Sequence, residues 1–205
     1  MAKIKHTKNE LKAQTDALKR FQRFLPMLQL KKQQLQAEIA AISAKLQDVL
    51  DQETAARQRL ERWIALYSDP DVLTENLVHF SGVRTAQGNI AGVAIPFFEG
   101  IDAEPAELDP YRTPAWADDA QDMLAELTEL RARADVLTRQ RELVQEELHT
   151  TSQRVNLFEK VKIPECRENI RVIRIFIGDE QTAAVVRGKI AKSRTPKAVR
   201  EEDIA

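Results

Sequence analysis

The sequence predicts a mainly α-helical protein: a long antiparallel two-helix coiled coil, interrupted by a small β-hairpin and irregular middle segment. Three observations carry this. Apolar residues recur at heptad spacing near both ends of the chain, aromatics and glycines are sparse, and the one stretch of β-like composition lies between the two arms. In the first arm Leu11, Leu18, Leu25, Ile39, Leu46, Leu60 and Tyr67 share one seven-residue register, while Phe21, Leu28, Leu35, Ile42, Val49, Ala56 and Trp63 share the other. In the second arm Leu127, Ala134, Leu148 and Val155 run beside Met123, Leu130, Leu137, Val144 and Phe158. Such a stripe is half of an interface, so two on one short-linked chain fold back on each other. A helix of about 60 residues is roughly 90 Å long, which implies a rod that buries its apolar surface along a seam.

The N-terminal coiled-coil helix occupies residues 1–68 on this reading. It stops at Ser68-Asp69-Pro70-Asp71, a cap followed by proline that opens a short helix reaching His79. The middle segment spans 69–112. Between Gly82 and Gly100 the composition turns to Val, Thr, Ile and Phe, and Gln87-Gly88-Asn89 reads as the turn between two short strands. Ile101 to Arg112 contains Pro105 and Pro110 and is expected to be irregular. Thr113-Pro114 repeats the cap-plus-proline signal, with Asp118 and Asp119 early in the helix where the macrodipole favours them. The C-terminal coiled-coil helix covers 113–188, and 189–205 reads as a flexible tail.

Each arm contains one proline that helix rules disfavour, Pro26 and Pro164, and each is expected to kink its helix. Antiparallel registry from a turn near residues 67 and 118 puts Pro26 opposite about residue 159, so the two kinks fall at one level of the rod. Near Pro164 the apolar register also slips, from the Val155/Phe158 phase to Cys166, Ile170, Ile173 and Ile177. A local change of helix phase is the expected cause.

The formal net charge is only −1, yet it is unevenly spread. Lys3, Lys5, Lys8, Lys12, Lys19, Arg20, Arg23, Lys31 and Lys32 face only Glu10 and Asp16 in the first 35 residues, and 154–200 is also mainly basic. Asp69 to Asp135 is acidic and lacks lysine. Folding the arms antiparallel joins the two basic ends and leaves the acidic middle at the far tip.

Composition also excludes chemistry. A single cysteine, Cys166, cannot form an internal disulfide, and three scattered histidines, His6, His79 and His149, offer no ligand spacing. No cofactor, metal or catalytic constellation is expected, and the protein reads as a non-enzyme. Gly188-Lys189 lacks the first glycine and the preceding strand of a phosphate-binding loop. No leader or membrane-spanning run is visible, which favours a reducing, cytoplasmic setting without direct membrane insertion. The basic clusters carry no aromatic interleaving or groove-reading motif, so a protein socket or a plain solvated helix face fits them better than nucleic acid. Lys32, Glu53 and Arg141 fall at core positions and are read as register-setting polar residues.

Two segments carry a resemblance. Asn89-Ile90-Ala91-Gly92-Val93-Ala94-Ile95-Pro96 after Val83-Arg84-Thr85, and Arg154-Val155-Asn156-Leu157-Phe158-Glu159 continuing to Ile163-Pro164, look like signature segments of the D subunit of the V-type and A-type rotary ATPases. The likeness extends from about residue 8 to 195. The chain departs from the family's common Asn-Ala-Leu-Glu at Asn156-Leu157-Phe158-Glu159, and Pro26 is unexpected in the first helix. The gamma shaft of F-type enzymes is also a coiled coil, but it carries an α/β domain that about fifty residues cannot supply.

The resemblance implies a central rotor shaft, peripheral to a membrane-bound complex, that transmits torque between the catalytic head and the ion-translocating ring. The implied partners are the catalytic and regulatory head subunits, the small F subunit of the central stalk and the adaptor that seats the shaft on the ring. From the charge asymmetry, the candidates for a head-facing surface are Lys8, Lys12, Lys19, Arg20, Arg23, Arg171, Arg174 and Arg187. Asn89, Gly92, Val93 and Pro96 are candidates for shaping the middle element, with Gly92 permitting a close approach or bulge. The readings set against this one are a chaperone of the prefoldin type and a passive coiled-coil scaffold.

Overall fold

The computed structural model describes residues 4–62, 77–108, 111 and 116–194. Helix α1 spans Lys8–Glu61, strand β1 Val78–Ile90, strand β2 Val93–Pro105, helix α2 Ala117–Leu157 and helix α3 Ile163–Arg194, with a π-helical turn at Phe158–Lys162 joining α2 to α3. The chain divides into two compact units, residues 1–29 with 153–205, and residues 30–152.

Thr7 starts α1 by accepting the Glu10 amide on Oγ1 at 3.3 Å, and Glu10 stands at the third helical position, the spacing of a capping box. Within the first unit Phe21 meets Phe158 at a ring-centroid distance of 5.0 Å, and the Asn169 amide donates to Gln14 Oε1 at 3.5 Å. Lower numbers on α1 pair with higher numbers downstream, so the helices run antiparallel. The same order holds in the second unit, where Lys31 pairs with Glu147 and Arg59 with Glu126, each at 2.6 Å.

The heptad registers are the buried ones. Leu35, Ile42, Leu46, Val49, Glu53 and Ala56 are the buried residues of α1, and all lie at the two predicted seam positions. Leu46, Val49 and Ala56 pack against Leu130 and Ala134. Leu35 and Ile42 pack against Val144 and, from the hairpin, Ile95. The core of the second unit is therefore two helices plus one strand face, not a helix pair alone.

The hairpin departs from the expectation in three places. Its turn is Ala91-Gly92 instead of Gln87-Gly88-Asn89, and both residues have positive φ, 52° and 84°, as a two-residue connection of type I′ requires. Asn89 Oδ1 then accepts the Gly92 amide at 2.8 Å, closing the turn. Gly88 lies inside β1, where any Cβ would run into the Phe97 ring that covers it. Residues Ile101 to Pro105 continue β2 instead of becoming irregular; Pro105 sits at the strand end, where a missing donor costs no ladder bond. Val78 and His79 are strand, not helix, while the Ser68 to Asp71 cap and Thr113-Pro114 lie outside the described residues.

Two bulges compensate each other. Ser81 is extra on β1 and Glu99 is extra on β2, so Gly82, Val83 and Arg84 alone pair one residue out of the register kept on either side. Ser81 Oγ donates to the Asp102 carbonyl at 3.0 Å, using an acceptor at the irregularity.

Helix α1 runs unbroken through Pro26, which is exposed. Pro164 is the second residue of α3, separated from the π turn by Ile163 alone. The Ile163 N–H donates to the Phe158 carbonyl, a five-residue span that replaces the α spacing. Seam residues Val155 and Phe158 project at heptad spacing onto Lys162, Glu165, Asn169 and Val172, yet the buried residues are Ile163, Cys166, Ile170 and Ile173, each one residue later. The π turn thus inserts one residue and absorbs the register slip visible in the sequence. Helix α3 continues past Gly188 to Arg194, so residues 189–194 are helical, not frayed.

Leu35→Ala is expected to cost about 2–5 kcal/mol, whereas Leu30→Ala, five residues away on the exposed face, should stay within about 0.5 kcal/mol. Urea denaturation of the full chain measures both.

Candidate interaction surfaces

In the first unit, all eight residues proposed for a head-facing surface are exposed: Lys8, Lys12, Lys19, Arg20 and Arg23 on α1, and Arg171, Arg174 and Arg187 on α3. Arg171 is not a free charge. Its Nη2 lies 2.6 Å from Glu168 Oε1 and its Nε 2.9 Å from Oε2, a bidentate pair that holds the Glu168 carboxyl below its usual pKa and the guanidinium above its own. The field of this surface therefore comes mainly from the other seven.

The seam of α3 ends where its partner ends. The His6 ring packs tilted against Phe176, centroids 4.8 Å apart, just before α1 begins, and from Gly178 to Arg194 every residue of α3 is exposed. A second stripe runs beside the seam at alternating spacings of four and three: Val172, Phe176, Asp179, Ala183, Val186 and Ile190. Val172, Phe176, Val186 and Ile190 are exposed large apolar residues. Sequence reasoning missed this stripe by treating the segment as a tail, although its heptad spacing was legible. It gives the basic end an apolar face flanked by Arg187, Lys189, Lys192 and Arg194.

Cys166 lies in the seam. Burial pushes its thiol pKa up, the neighbouring Glu165 carboxylate adds to this, and Lys162 opposes it. Less thiolate forms than for a free thiol, which suits Cys166 to a packing position in the seam.

In the second unit two glutamines of α2 hold the hairpin. The buried Gln121 amide donates to the carbonyls of Leu77 at 2.9 Å and Ala106 at 2.8 Å, at the open end of the hairpin. The buried Gln140 amide donates to the Pro96 carbonyl in β2. The Ala106 N–H also donates to the Leu77 carbonyl, at 3.1 Å, and an amide nitrogen with two protons can bridge that carbonyl, through its second lone pair, and the Ala106 carbonyl at once. No sequence signal marked either glutamine, since each is one of many on a polar helix.

The four middle-segment residues singled out by sequence have structural work. Asn89 caps the turn, Gly92 provides its second positive φ, Val93 packs into the apolar cluster of Leu35, Ile42, Ile95 and Val144, and Pro96 supplies the carbonyl to Gln140. Gly92 is a turn residue and not a bulge. The Lys31–Glu147 bridge lies beneath it, with a Cβ on Gly92 reaching within 4.0 Å of Nζ.

An open groove of about 500 Å³ lies at the hairpin base, with Phe80, Val83, Leu124 and Leu127 on its walls and Glu53 at its floor. Glu53 is 5% exposed, as its core register position predicts, and Oε1 takes Arg57 Nη2 at 2.8 Å and Arg131 Nη1 at 3.7 Å. The other two predicted core polar residues, Lys32 and Arg141, are half-buried. Among the described residues no cluster of three or more His, Cys, Asp or Glu could hold a metal ion, and no helix is long and apolar enough to cross a membrane.

Comparison with known proteins matches residues 10–193 to the family of the ATP synthase D subunit. A protein of Borreliella burgdorferi, named as the D subunit of a V-type ATP synthase, is 46% identical over 195 residues, covering 94% of this chain and 95% of that one. Its namesake in Chlamydia caviae is 30% identical over 207 residues, covering 100% and 99%.

Two outcomes test these surfaces. Gln140→Leu removes the donor to the carbonyl of half-buried Pro96 and should cost about 1 kcal/mol in urea denaturation. Glu53→Leu should be neutral or raise the thermal midpoint, because it removes a desolvated carboxylate while Arg57 and Arg131, both mostly exposed, keep their water.

Proposed function

This chain belongs to the family of the ATP synthase D subunit, and we propose that it is the central rotor shaft of a V-type ATP synthase, a part that carries torque and catalyses nothing. Its basic end contacts the catalytic and regulatory head subunits. Its middle segment contacts the small F subunit of the stalk and the adaptor on the membrane ring, and the protein stays peripheral to the membrane.

The observation that carries this reading is the end of α3. A helix that leaves its partner at Ile177 and continues to Arg194 with an apolar stripe and basic flanks has surface to bury against another chain. A solvated scaffold helix has no need of Val186 and Ile190 on one face. Paired helices suit a shaft because twisting one against the other would have to break many side-chain contacts at once. The shaft has no three-fold symmetry, so it touches three equivalent catalytic interfaces differently at any moment, and differential contact energy couples rotation to their opening and closing.

Exposed apolar residues near a free end also meet the requirement of a client-holding chaperone, and binding to denatured polypeptide separates the two readings. Replacing Lys8, Lys12, Lys19, Arg20, Arg23, Arg174 and Arg187 together by glutamine, with Val186→Ser and Ile190→Ser, should weaken co-purification with the head subunits by about tenfold or more. Undiminished assembly and ATP-driven rotation would contradict the proposal.

A further inference from the structure

The π turn at Phe158–Lys162 has two separate causes, and they act in different ways. The first is global: the buried stripe Ile163, Cys166, Ile170 and Ile173 lies one residue later than Val155 and Phe158 project, so one extra residue must be accommodated somewhere in this helix. That requirement sets how many residues are inserted but not where. A π turn can migrate by exchanging one carbonyl partner for the next, carrying its extra residue along the helix.

The second cause is local. Pro164 has no N–H to offer, and in a continuous α-helix its ring would press on the Lys160 carbonyl, four residues earlier. In the wider turn the Ile163 N–H reaches back to the Phe158 carbonyl, so the α spacing that would set the ring against Lys160 is not kept just before Pro164.

We propose that Pro164 pins the π turn in place, fixing the position at which the helix changes phase. With Pro164 present, an α turn cannot close over residues 160–164, so the inserted residue has no lower-energy position on its C-terminal side. On its N-terminal side, migration would rotate Phe158 out of the seam by about 100° and off the Phe21 ring, from which its centroid now stands 5.0 Å. The aromatic pair and the proline close the two exits. The use of such a lock rests on the shaft reading: a helix under torque has a bias to expel or move an inserted residue, and a phase that moved would unseat Ile170 and Ile173.

Amide hydrogen exchange on the full chain tests this. Pro164→Ala restores the missing donor and should speed exchange of the amides of residues 154–163 at least several-fold, with α1 near Lys45 unaffected. Deleting the exposed Glu159 in addition removes the extra residue, so an uninterrupted α-helix now keeps the seam in phase and exchange should return to the slow wild-type level. Wild-type or slower exchange in Pro164→Ala overturns the proposal. So does a double variant that unfolds or exchanges as fast as the single one. No partner is needed for this measurement, so its failure leaves the shaft reading to the co-purification experiment, and the converse also holds.

Discussion

One requirement governs most of this chain: a single apolar stripe on each helix must keep facing its partner for tens of residues. An α-helix has 3.6 residues per turn and the heptad supplies an apolar residue every 3.5, so any inserted residue would rotate everything beyond it out of the interface. This chain contains such an insertion near Pro164 and answers it with a π turn, after which Ile163, Cys166, Ile170 and Ile173 return to the buried side. Phase outranks hydrogen-bond regularity here. The cost is one irregular turn, while the alternative is the loss of four buried side chains.

The second unit obeys the same rule with a third participant. Ile95 of the hairpin enters the cluster built on Leu35, Ile42 and Val144, so β2 must lie at a set height and angle on the helices. A two-stranded sheet has little stability of its own. Gln121 and Gln140 give it anchorage by donating from α2 to backbone carbonyls of the hairpin and its flanks, and the paired bulges at Ser81 and Glu99 permit a local change of register without shifting the turn. A buried polar contact is thereby used for placement, while the apolar cluster supplies the larger stabilisation.

Both helical arms, their antiparallel order and the phase slip were legible because periodicity is a property of many residues at once. The family resemblance also rested on segments whose structural work is now visible, from the Asn89 cap to the Pro96 carbonyl. The hairpin turn was misplaced because Gln87-Gly88-Asn89 has turn-like composition, yet Gly88 is required by the Phe97 ring above it and not by the chain direction. Composition cannot distinguish those two uses of glycine. Gln121 and Gln140 were invisible for a related reason: their role depends on a strand brought from elsewhere in the chain. The exposed stripe ending at Ile190 was present in the spacing but hidden by the polar residues around it. The departure at Leu157-Phe158 coincides with the Phe21–Phe158 contact and the start of the π turn.

The most direct measurement is disulfide formation in a Cys166→Ala background that compares Gln14→Cys paired with Asn169→Cys against Gln14→Cys paired with Glu168→Cys. The inserted residue places Asn169, whose amide lies 3.5 Å from Gln14 Oε1, where an uninterrupted helix would have placed Glu168. The account predicts rapid intramolecular crosslinking for the first pair and little for the second. Preferential crosslinking of the second pair would show that the helix never changed phase, and failure of both would show that α1 and α3 do not share a seam.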